Sequence, residues 1–172
     1  MTRATRWHLA QLNIGRMVAP TTAPEVAEFM AALDPINELA EAAPGFVWRL
    51  QTDAGNATDI HAFDDPLLLL NMSVWESIEA LRAFTYTTAH TDVLRRRREW
   101  FERLAEAHLV LWWVPAGHIP TLAEAIGRLG QLRRDGPTPA AFTFRVPFAP
   151  EASDAGDPLV DAEFCWPAAV PA

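Results

Sequence analysis

"PLLLLNMSVW" (residues 66–75) and "HLVLWWVP" (108–115) read as strands, and their runs "LLLL" (67–70) and "LVLWWV" (109–114) are apolar on both strand faces. An antiparallel sheet with one wet face would show apolar and polar residues in turn, so both faces of this sheet must be covered. "WHLAQLNI" (7–14) reads as a further strand, with Trp7, Leu9, Gln11 and Asn13 on one face and His8, Ala10, Leu12 and Ile14 on the other. "FVWRLQ" (46–51) follows a Pro44-Gly45 stop and reads as another, and "FTFRVPF" (142–148) as a short edge strand.

Between the strands the period changes to that of helices. "TAPEVAEFMAALDPINELAEAA" (22–43) has capping-box spacing at Thr22 and Glu25, and an apolar stripe of Val26, Phe29, Met30, Leu33 and Ile36. Pro35 predicts a kink or a break there. "ESIEALRAFTY" (76–86) reads as a helix with Ile78, Leu81 and Phe84 on one side. A further helix is expected from Thr88 to Leu104, and a last one over 121–134, opened by a Thr121–Glu124 box and closed by Gly136 and Pro137. The order strand, helix, strand, strand, helices, strand, helix is that of a ferredoxin-like split βαβ, an α+β fold with an antiparallel sheet. In this arrangement the helices lie on one side, so a second copy of the sheet is the simplest cover for the other, which suggests a homodimer. Residues 1–148 are expected to form this domain. Residues 149–172, rich in Ala, Pro and acids, are expected to be a mobile tail.

Bulk composition narrows the function classes. At 172 residues, half of them apolar and seven of them Trp, the chain is long enough for a sizeable core. A formal charge of −8 argues against nucleic-acid binding, which needs a basic surface. All basic residues are Arg and none is Lys, which together with many Ala and Pro reads as genomic composition bias. The lone Cys165 makes neither an internal disulfide nor a thiolate metal cluster. The N-terminal stretch lacks a signal-peptide core and no segment reaches membrane-spanning length, so a cytoplasmic location with no membrane partner is expected.

"WHLAQLNIG", "PINELAEAAPGFVWRL", "NMSVWESIEALRAF", "AHTDVLRRRREWF", "LVLWWVPAGHIPTLAEA" and "GPTPAAFTF" together resemble the bacterial domain-of-unknown-function family 3291, over about residues 7–148. That family is similar to the dimeric α+β barrel proteins, which include antibiotic-biosynthesis and haem-degrading monooxygenases. The resemblance implies a dimeric α+β barrel. It also implies a small apolar or aromatic ligand, and either no cofactor or haem. Haem-degrading members carry an Asn in the first strand, "VW-S" before a helix, and a His after Ala that ligates iron. Asn13, Val74-Trp75-Glu76-Ser77 and Ala89-His90 match these. The spacing from Trp-Ser to His is about one helical turn shorter here. The aromatic over the haem falls near Phe84, which is not Trp. On this resemblance Trp75, Phe84 and His90 are the cofactor-contacting candidates, and Asn13 and His90 the catalytic pair.

The residues themselves leave several roles open. His90 can be an axial ligand, a general base, or a helix residue bonded to a carbonyl. Asn13, poorly suited to mid-strand, can orient an oxygen-bearing substrate, stabilise an oxyanion, or be satisfied by neighbouring backbone. Arg95–Arg98 point around a helix and read mostly as a solvated face, with Arg95–Glu99, Arg98–Glu102 and Glu99–Arg103 as ion pairs. One of the four can still reach a carboxylate or propionate. Trp48, Trp75, Trp112 and Trp113 read as core or dimer interface, with Trp112 and Trp113 on opposite strand faces. His61 lies near Asp59, Asp64 and Asp65, a weak metal candidate, and His118 sits in a turn before a helix. The leading expectation is a monooxygenase-like enzyme, acting on an aromatic or polyketide-like substrate without a cofactor. A haem protein with His90 as axial ligand, and a non-catalytic small-molecule-binding or structural dimer, are the alternatives. Asn13 and His90 are expected to line one cleft on the helix-covered side of the sheet.

Overall fold

Strand β1 (Trp7–Arg16) sits inside a four-stranded antiparallel sheet of order β2-β3-β1-β4, where β2 is Phe46–Arg49, β3 is Leu68–Trp75 and β4 is Leu109–Pro115. This computed structural model describes residues 7–87, 93 and 95–150. The strand order is that of the split βαβ: β3 lies between β1 and β2, and β1 lies between β3 and β4. Register places Asn13 opposite both Asn71 and Leu109, and Gln11 opposite both Ser73 and Leu111.

Helix α1 (Ala27–Glu41) follows a 3-10 turn at Pro24–Val26. No side chain caps either element, so the Thr22–Glu25 box does not form. The helix runs unbroken through Pro35, whose position and that of Ala31 one turn back are both exposed. The carbonyl that loses its N–H partner therefore faces water, which removes the reason for a break. Helix α2 is Ile78–Thr87.

The expected helix over 88–104 falls partly outside the described residues. Its end is a correction: α3 spans only Arg97–Trp100, and Phe101 is already extended. There Phe101 bridges Met17, and Glu102 N–H donates to Arg16 O. Gly15 permits this, because a Cβ at that position would lie 2.7 Å from the Phe101 ring. Helix α4 (Leu122–Asp135) starts as expected, with Thr121 Oγ1 accepting from Glu124 N–H, and stops at Gly136 with φ 73°.

The two sheet faces are covered by different helices. Leu9, Trp75 and Leu111 pack with Ile36, Leu39 and Ala40 of α1 and Ile78, Leu81 and Phe84 of α2. On the other face Leu12, Met72, Val74, Val110 and Trp112 pack with Ala125, Leu129 and Leu132 of α4, helped by Leu50, Ile60 and Phe63 from the β2–β3 connection. The expectation that all helices lie on one side is thus corrected. Ala10, Leu12, Val74, Val110 and Trp112 are 0 % exposed within one chain, so the sheet pattern does not by itself require a second copy. Trp112 and Trp113 do face opposite sides; their indoles donate to Glu124 and to Phe148 O.

The edge strand over 142–148 shrinks to one bridge, in which Phe142 exchanges both backbone hydrogen bonds with Leu111. The chain then turns back on itself, with Thr143 paired to Val146. Phe148 is the last buried residue described, and 151–172 of the expected tail lie outside the described residues. Among the described residues no helix is long and apolar enough to cross a membrane.

Candidate functional site

A cavity of about 260 Å³ opens between the helix α1–α2 side of the sheet and the helices that cover it. Phe29, Leu33 and Ile36 of α1 and Leu81 and Phe84 of α2 form apolar walls. The floor is polar. Strand parity puts Gln11 and Asn13 of β1 and Asn71 and Ser73 of β3 on the same face, directly paired in register. Trp100, Phe101, Arg97 and His108 border the cavity as well.

The floor is a hydrogen-bonded network. Gln11 Nε2 donates to Asn71 Oδ1 at 2.6 Å and to Ser73 Oγ at 2.9 Å. Trp75 Nε1 also donates to Ser73 Oγ at 2.9 Å. Ser73 therefore accepts twice, which leaves its O–H as a spare donor. Asn13 Oδ1 is buried with no hydrogen-bond partner among the described residues. A buried amide oxygen without a partner is costly, roughly 1–3 kcal/mol. The floor thus offers an acceptor and a donor under an apolar roof, the pair that a hydroxyl or an enolic oxygen needs.

Asn13 therefore lies on the face it shares by parity with Leu9 and Gln11, the one that α1 and α2 cover, and borders the cavity. Trp75 and Phe84 also border it and stack on one another, with ring centroids 5.2 Å apart and planes at 25°. His90 lies outside the described residues, so its place beside Asn13 is not described. The arginine run is corrected in its pairings. Arg96, not Arg95, holds Glu99, and also Glu28, while Glu102 pairs with Arg16. Arg97 turns inward. It is half-buried, and its Nη1 lies 3.1 Å from His108 Nε2. No group of three or more His, Cys, Asp or Glu among the described residues could hold a metal, which removes the His61 cluster. His118 instead meets Glu124 at 2.8 Å.

Burial, then the neighbouring Arg97 charge, holds the His108 pKa below the ordinary histidine value; a hydrogen bond to the Glu106 backbone opposes them. The imidazole is thus neutral at pH 7, and its Nε2 accepts from Arg97. A folded pKa below the unfolded one means that the unfolded chain takes up a proton first. Stability should therefore fall as pH drops from the ordinary histidine range towards the folded pKa. Melting temperature measured from about pH 7.5 to about pH 5 should decline more steeply in wild type than in His108→Gln. Parallel curves would remove His108 from the titration.

Sequence reasoning missed Gln11, Asn71, Ser73 and His108 as site residues, and it allowed Arg97 only as one of four arginines of which one can reach a carboxylate or propionate. Ser73 and Asn71 sit in a strand whose leucine run (67–70) reads as apolar on both faces. Their role emerges only from the register with β1, some sixty residues away in the chain.

Solved structures with partial likeness include a conserved protein from Methanosarcina mazei Go1, with 12 % identity, TM-score 0.45, and coverage of 64 % of this chain and 93 % of that one. Another is the monooxygenase of the ActVA-Orf6 gene of Streptomyces coelicolor, solved with the ligand nanaomycin D, with 18 % identity, TM-score 0.41, and coverage of 67 % and 95 %. A third, from Chloroflexus aurantiacus J-10-fl and named after the antibiotic-biosynthesis monooxygenases, has 15 % identity, TM-score 0.41, and coverage of 67 % and 98 %. A comparison with curated proteins gave no match. Residues 8–157 match the domain of unknown function DUF3291, and the chain belongs to that family.

Proposed function

We propose that the chain is a monooxygenase-like enzyme that oxidises a small aromatic or polyketide-like substrate in the cavity above Asn13, without a cofactor. The observation that carries this reading is the buried, unpartnered Asn13 Oδ1 on the polar floor of an otherwise apolar cavity. A substrate hydroxyl donates to Asn13, and the spare Ser73 O–H stabilises the oxyanion left when that hydroxyl ionises. Once ionised, an electron-rich ring carbon reacts with dioxygen directly. A C–O bond forms, the O–O bond then breaks, and water leaves. One dioxygen thus converts a ring C–H and a phenol into a quinone and water. His90 is proposed as the proton acceptor on the strength of its sequence alone.

Size also bears on the haem alternative. A cavity of about 150 Å³ holds one benzene ring. One of about 260 Å³ takes roughly two fused rings. Trp75 and Phe84 stack on each other, so they do not form the two walls of a slot. His108, the histidine that borders the cavity among the described residues, has its Nε2 engaged by Arg97. No step in this reading runs through haem.

1-Naphthol tests the reading, because C10H8O + O2 gives 1,4-naphthoquinone, C10H6O2, and H2O. The expected result is quinone formed with one dioxygen consumed per turnover. Asn13→Ala should lower kcat/KM about 10- to 100-fold with the melting temperature nearly unchanged. Binding without turnover favours the non-catalytic small-molecule binder. Neither binding nor turnover overturns the cavity as a site.

A further inference from the structure

Two arginines border the cavity, and they differ in their partners. Arg49 is satisfied: its Nε donates to Glu41 and its Nη1 to Gly55 O, both at 2.8 Å. Arg97 has no carboxylate among the described residues. Its contact is His108 Nε2, and His108 is uncharged at neutral pH. The acids nearby are already engaged: Glu28 and Glu99 with Arg96, Glu102 with Arg16, and Glu106 with Arg133. Arg133 adds further positive potential at His108. In a chain of net charge −8, Arg97 is a half-buried guanidinium at the edge of an apolar cavity with no counter-ion among the described residues. A guanidinium presents a fork of five N–H donors, and one imidazole nitrogen occupies only one of them.

We infer that the ligand of this cavity is an aromatic acid whose carboxylate binds the Arg97 fork while its ring lies between α1, α2 and the sheet. The inference rests on the cavity's being a small-molecule site and adds the charge of what it takes. His108 is a positioning residue: its Nε2 holds one arm of the guanidinium and leaves the others free for the acid. A bidentate pair at this half-buried place is strong, because both charges are partly withdrawn from water.

The test compares 2-naphthoate with 2-naphthamide, which share ring and shape and differ in charge, by calorimetry on the whole chain. Wild type should bind the acid about 10- to 100-fold more tightly than the amide. Arg97→Gln should bring the two within about threefold, and Arg97→Lys should retain part of the preference. In wild type, the Arg97 side-chain N–H signal in an NMR spectrum should shift with naphthoate and not with naphthamide, a readout that survives even if Arg97→Gln does not fold. Equal affinities in wild type, or a preference that survives Arg97→Gln, overturn the inference. If the amide and 1-naphthol bind and the acid gains nothing, the inference fails and the cavity stands as a site. If no naphthyl compound binds, both fail.

Discussion

Leu129→Asp is expected to leave the domain unfolded at room temperature. Leu129 is 2 % exposed and belongs to the α4 stripe that seals the sheet face of Leu12, Val110 and Trp112. The substitution removes a leucine burial worth about 1.5–3 kcal/mol. It also places an unpaired carboxylate in an apolar interior, at a further several kcal/mol. The sum approaches the whole stability of a typical domain, about 5–15 kcal/mol. Leu129→Ala, without the charge, should cost about 2–5 kcal/mol and lower the melting temperature by roughly 4–20 °C. Circular dichroism and size-exclusion chromatography read both outcomes. The same pair of variants separates two ways of covering the sheet. If a second copy of the sheet were what buries Leu12 and Trp112, with α4 elsewhere, Leu129→Asp would melt like the wild type.

The strands were legible because their residues carry the signal locally. The parity of β1 put Asn13 with Leu9 and Gln11 on one face, the family resemblance put a helix over that face, and the Thr121 cap was readable from four consecutive residues. What stayed hidden depends on distant partners. That α4 crosses to the far face follows from Ala125, Leu129 and Leu132 meeting β1 and β4, which no local period reveals. The arginine run misled for a related reason. Helical spacing assigned Glu99 to Arg95, yet α3 stops at Trp100 and Glu28 of α1 draws Arg96 instead. The floor of the site shows the limit most clearly: Gln11, Asn71 and Ser73 look like isolated polar residues until register makes them one network.

Trp75 joins that network to the roof, and Trp75→Ala should cost about 3–5 kcal/mol, a fall in melting temperature of roughly 6–20 °C. The indole is 1 % exposed, stacks on Phe84 of α2, and meets Phe46 of β2 edge-on with centroids 5.4 Å apart. Aromatic pairs of this kind add about 0.5–1.5 kcal/mol beyond area burial, so losing two rings' contacts at once makes the truncation large. Trp75→Phe separates packing from polarity. It keeps a ring against Phe84 and withdraws the indole N–H from Ser73 Oγ. Its cost should be smaller, about 1–2 kcal/mol, set by one lost hydrogen bond and a modest loss of volume. Its effect on the site should be specific. With one acceptor position on Ser73 freed, its O–H can reorient, and the affinity for 1-naphthol should fall while the fold holds. Thermal melts and a binding titration on the two variants settle the point. If Trp75→Phe melts as low as Trp75→Ala, the ring stack is not what ties β3 to α2. If it binds 1-naphthol as wild type does, the Ser73 hydroxyl is not the donor on which the floor depends.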